Sequence, residues 1–218
     1  MVDVPTVAVR GEAVLEVAPE IARFSVTVSA RDKDRQATLT RLTQRVDAIR
    51  AVLDEYGAAI ERRETGIVQV RPELKRSGER ISAYVASLTT TVTVTDFTVL
   101  GDLMLRLADE EQTSVFGPWW GLRPDSKAHR QARRAAVDDA MTRAQEYAEA
   151  IGRKVGRLLE LSDSGMSGAP TPRMAYAADM RTMSAGTPEL DLEPQQQTVH
   201  GSVEMKFVLV ESAGFGDG

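Results

Sequence analysis

The sequence predicts an α+β fold, a mostly antiparallel sheet with about three packed helices. Three observations carry that class. Apolar residues alternate with period 2 in several segments, the mark of half-buried strands. In three longer segments the period changes to steps of three and four, the mark of helices with one buried stripe. Pairs of strand-like runs precede the first two helical segments, the order of hairpins followed by helices. The passages 7–57 and 64–112 both read strand, strand, helix, which predicts an internal structural repeat. With 218 residues, 42% hydrophobic and 27% charged, the chain reads as a single domain over 1–218 with a substantial core.

The first strand follows from Val7, Val9, Ala13, Leu15 and Val17, with Gly11 at the same parity and read as a bulge. After Pro19-Glu20 the alternation resumes at Ala22, Phe24, Val26, Val28 and Ala30, so the two strands are expected to form a hairpin. Leu39, Leu42, Val46, Ile49, Leu53 and Tyr56 then define one apolar helical stripe that Gly57 can terminate. The spacing also suits a coiled coil, but strands on both sides favour a helix lying across a sheet. Val68, Val70, Pro72 and Leu74 resume a strand, "KRSGER" turns, and "ISAYVASLTTTVTVTD" returns with an apolar face and a threonine-rich face. Asp96 can cap a second helix whose buried side is Phe97, Leu100, Met104 and Leu107.

Between that helix and the next, "VFGPWWGL" must cross the fold as an extended segment. It holds both tryptophans of the chain. Neighbouring side chains of a strand point to opposite faces, so one of Trp119 and Trp120 is buried and the other faces solvent, a second layer or a neighbouring subunit. Pro118 suggests an edge position or a bulge. In the third helix Ala132, Ala136, Ala140, Ala144 and Ala148 recur every fourth residue, a row that lets another element approach closely. Gly152 ends it, "KVGRLLEL" reads as a short strand, and 163–198 turns to Gly, Ser, Pro, Ala, Met and Gln, a long loop. Val199, Val203, Met205, Phe207 and Leu209 form a last strand before a frayed tail at 212–218.

The net charge of −5 argues against a general nucleic-acid binder, which needs a concentrated positive field. Without cysteine there is no disulfide framework and no thiolate nucleophile or ligand. No apolar run reaches the roughly 20 residues of a membrane-spanning helix. No basic segment followed by an apolar one opens the chain, so a cytoplasmic location is expected if Met1 is the native start. His129 and His200 are far apart, and no GxSxG, HExxH, P-loop or GxGxxG motif occurs. Asp138 and Asp139 point about 100° apart on a helix and read as a solvated face. Met166, Met174, Met180 and Met183 share the long loop. Thioethers can bind Cu(I), but methionine in such a loop more often packs against a surface or another subunit.

Several segments in order resemble a SIMPL-domain protein. "VAVRGEAVLEVAPEIARFSVTV" is similar to the family's opening strand pair, "ISAYVASLTTTVTVTDFTVLGDLM" to its strand and second helix, and "ARRAAVDDAMTRAQEYAEAIGRKVGRLLEL" to its Ala-rich helix and following strand, with "GSVEMKFVL" as the closing strand. The resemblance implies a mixed α/β architecture, a tendency to self-associate and no established catalytic residues to carry over. It also implies frequent export among bacterial members. Gly117, Trp120 and Leu122 match the family's Gly-x-x-Phe-x-Leu strand, which makes Trp120 the buried partner.

The functional expectation is a non-enzymatic interaction or scaffold protein acting as a homo-oligomer, with an unidentified protein partner and no cofactor. Its candidate interface residues are Trp119, Met174, Met180 and Met183. The alternative is a small-ligand or metal-binding module using the Trp119/Trp120 strand and the Met-rich loop.

Overall fold

In the computed structural model the residues described are 4–75, 80–163, 190 and 192–211. They form seven strands and three helices, in the order β1 (Thr6–Val17), β2 (Ile21–Asp32), α1 (Arg35–Glu55), β3 (Ile60–Leu74), β4 (Ile81–Val94), α2 (Leu100–Ala108), β5 (Thr113–Gly121), α3 (Lys127–Ala150), β6 (Arg153–Asp163) and β7 (Gln197–Glu211). A 3₁₀ turn, Phe97–Val99, leads into α2. All registered strand pairs are antiparallel. The α+β class is therefore correct, and the chain divides into two compact units.

The first unit contains β1, α3, β6 and β7, with strand order β1-β7-β6. Its organising feature is the alanine row of α3, whose five members are all buried. They lie against glycine. A Cβ on Gly11 of β1 would stand 2.0 Å from the carbonyl oxygen of Ala136, and one on Gly201 of β7 would stand 2.2 Å from that of Ala132. Gly11 is thus no bulge: it pairs with Val203 in an unbroken register and is glycine because the helix backbone touches it. Val9, Val203, Met205 and Phe207 fill the rest of this core. Ser126 caps α3 by accepting from the Ala128 N–H, and Gly152 beyond its end has φ +70°, the left-handed conformation expected there.

The expected β1–β2 hairpin is absent. β1 pairs with β7 from Thr6–Val208 to Val17–Gln197, whereas β2 pairs with β4 and β5. The glycine seats explain it: Gly11 and Gly201 must come together beneath α3, and that joins β1 to the last strand of the chain rather than to the next one.

The second unit contains β2, α1, β3, β4, α2 and β5, with strand order β3-β4-β2-β5. Two β-α-β passages, β2-α1-β3 and β4-α2-β5, interlock so that β4 lies between β2 and β3 and β2 lies between β4 and β5. This is the ferredoxin-like split arrangement. The repeating passage is thus strand, helix, strand, offset by one strand from the strand-strand-helix reading. α1 is capped by Asp34, which accepts from the Ala37 N–H at 2.8 Å, and it buries Leu42, Val46, Ile49, Val52 and Leu53. They meet Phe24, Val26, Val28, Val92 and Val94 of the sheet and Leu100, Leu103 and Leu107 of α2, so the α1 stripe faces a sheet and not a coiled-coil partner. Residues 190 and 192–196 belong to this unit, and Leu192 packs on its core.

Candidate functional site

Among the described residues β5 is an edge strand, hydrogen-bonded to β2 on one side only. Its register breaks once: Arg23 lies opposite Trp119 and Ser25 opposite Phe116, so Phe24 alone spans the two residues Gly117 and Pro118. That is a β-bulge, as Pro118 suggested. Gly117 has φ +129°, and a Cβ on it would stand 2.9 Å from the Cβ of Phe24, so both conformation and space require glycine.

The extra residue changes which side chains share a face. Without it, Phe116 and Trp119 would point to opposite sides of the strand. With it, they point the same way, in an edge-to-face pair with ring centroids 5.1 Å apart. Phe116 is 68% exposed and Trp119 47% exposed. Trp120 takes the other face, half-buried, packed on the core and edge-on to Phe97 at 4.9 Å. The division between the tryptophans is as the sequence reading has it, with Trp120 only partly enclosed. Phe116 was missed. The signal for it was the Gly117-Pro118 pair read as a bulge between two aromatic residues three apart.

The surroundings of the aromatic pair are polar. Ser25, Thr27 and Ser29 of β2 share the face with Ser87, Thr89 and Thr91 of β4, and the Thr27 and Thr89 hydroxyls are 2.9 Å apart. Arg23, opposite Trp119, is exposed. The end of β5 is fastened by the Glu20 N–H donating to the Gly121 carbonyl at 2.9 Å. Beyond it the Arg123 N–H donates to the Glu20 carboxylate at 3.0 Å, and the Arg123 guanidinium pairs with Glu61.

Met166, Met174, Met180 and Met183 lie outside the described residues. His129 is half-buried in the first turn of α3 and His200 is exposed on β7, and both lie in the first unit. Among the described residues no three of His, Asp and Glu come together as a metal site, and no helix is long and apolar enough to cross a membrane. Asp138 is exposed, but Asp139 is more than a solvated face: it accepts from the Glu12 N–H at 2.9 Å and pairs with Arg143 at 2.9 Å. The Glu12 N–H, opposed by partial desolvation and aided by Arg143, holds the Asp139 carboxyl below the usual aspartate range. Elsewhere, Tyr56, Asp102, Arg106 and Glu55 form a hydrogen-bonded cluster joining α1 to α2.

The arrangement is thus that of an α+β protein with an exposed aromatic pair on an open sheet edge. Residues 7–207 match the SIMPL family, described as a protein of unknown function (DUF541), and the chain belongs to that family. It is also similar to the 26 kDa periplasmic immunogenic protein of Brucella melitensis biotype 1 and to that of Brucella abortus strain S19. Each is 24% identical over 194 residues, covering 84% of this chain and 75% of the relative. Their periplasmic designation conflicts with the cytoplasmic expectation drawn from the first residues of the sequence.

Proposed function

We propose that this chain is a non-enzymatic interaction protein that works as a homo-oligomer, with Trp119 and Phe116 at a contact between copies. The observation that carries the reading is the aromatic pair itself. Two large rings stand side by side in water on an edge strand, where strands are liable to pair. Covering roughly 200 Å² of exposed ring surface would contribute on the order of 5 kcal/mol per copy by apolar-area bookkeeping. That is comparable with the lower estimates of what association costs, about 4 kcal/mol and upward, so neighbouring contacts must supply the rest. Because the family match runs through both compact units, we take them as one functional module. Export to the periplasm is the location we favour, on the names of the Brucella relatives. Light scattering of wild type and Trp119→Ala tests the assembly, and fractionation of cells expressing the native reading frame tests the location.

A further inference from the structure

The opposite edge of the same four-stranded sheet is β3, and it is exposed along nearly its whole length. α1 packs on β2 and β4 and reaches β3 at Arg63, which donates to the Leu53 carbonyl and pairs with Asp54; further along, the helix-side residues Val68 and Val70 remain 58% and 38% exposed, and Ile67 at the bulge is 76% exposed. Charge, a proline and bulges are the usual devices that keep an edge strand single, and β3 has all three. The order of its charges argues otherwise.

On the face away from the helices β3 carries Arg62, Glu64, Arg71 and Glu73. Their positions can be read against the neighbouring strand. Val68 pairs with Leu88 of β4. Arg62 and Glu73 pair with Thr93 and Ala83, equally far on either side of Leu88, and Glu64 and Arg71 pair with Thr91 and Val85, again equally far. The bulge between Thr65 and Val68 is what brings these residues to a common face and equal spacing. The charge sequence therefore reverses sign about Val68.

We propose that β3 is a self-pairing edge: two copies of this chain join β3 to β3 antiparallel about a twofold axis at Val68. That axis sets Arg62 against the second copy's Glu73 and Glu64 against its Arg71, twice each by symmetry. It also places Val68 beside its own copy and Val70 beside Thr65, covering the apolar side that α1 leaves open. A strand defended against pairing would present like charges to its own reversed copy, whereas this one presents opposite charges. The inference rests on the homo-oligomer reading and assigns it a second surface, distinct from the Trp119 edge.

The test is a charge swap followed by sedimentation velocity over a concentration series at low salt. Arg71→Glu and Glu64→Arg, each alone, replace two attractive cross-strand pairs with two repulsive ones and are expected to weaken association about tenfold or more. The double variant restores the pairing in reversed sense and is expected to recover the wild-type mass. Circular dichroism checks that all three variants fold. If single variants weaken association and the double variant does not restore it, the twofold register is overturned. A wild type that associates while both single variants leave its mass unchanged overturns β3 pairing and leaves assembly to another surface. A wild type that stays monomeric overturns both readings.

Discussion

Gly11 of β1 and Ala136 of α3 touch backbone to backbone: a Cβ on the glycine would stand 2.0 Å from the alanine's carbonyl oxygen and 2.7 Å from the Cβ of Ala140. Neither neighbour is the far end of a flexible side chain, so the helix itself would have to move. Gly11→Ala is therefore expected to cost about 3 kcal/mol or more, the upper part of the range for overpacking. Gly152→Ala is the control. There a Cβ meets open space and the cost is the left-handed backbone alone, about 1 kcal/mol. Urea melts of the two variants check the difference.

The tryptophans are expected to separate by role. Trp120 is half-buried against Phe97 and the core, so Trp120→Ala is expected to cost about 2–3 kcal/mol, less than the roughly 3–5 kcal/mol of a fully buried aromatic. Trp119→Ala is expected to change the unfolding free energy by less than about 1 kcal/mol, as surface substitutions do, while weakening association. Equal losses of stability in the two variants, with no change in mass, would contradict the division.

Asp139 gives a pH dependence with a definite sign. Its folded-state pKa is lowered, chiefly by the Glu12 N–H, so the unfolded chain binds the proton more readily. The stabilisation is present above the unfolded value of about 3.9 and is lost as pH falls through the folded one. The stability gap between wild type and Asp139→Ala is thus expected to be largest above about pH 5 and to narrow below about pH 4. A gap that widens on acidification would show that this carboxylate is not held by the Glu12 N–H.

Element types were legible in the sequence because periodicity is local. The stripe of α1, the alanine row of α3 and the alternation of β2 each report a buried face from within one segment. Strand pairing was not legible, because what joins β1 to β7 is the space that α3 leaves over Gly11 and Gly201, a relation among three distant segments. The same locality explains the site. Adjacent residues of a strand face opposite ways, so the roles of Trp119 and Trp120 could be read directly, whereas Phe116 joined Trp119 only through the bulge at Gly117 and Pro118. Residues 60–63 belong to β3 but fall outside the strand reading, since Glu61, Arg62 and Arg63 carry no apolar alternation. The Glu12–Asp139 bond has no sequence signature, because it joins backbone to side chain across the unit.

The account stands on self-association, and the most direct measurement of it is the molar mass of the purified wild-type chain by light scattering across a wide concentration range. The expected result is a mass that is a multiple of the 23.8 kDa protomer and is lowered in Trp119→Ala without loss of fold. A wild type that remains at the protomer mass at the highest concentrations would contradict the account.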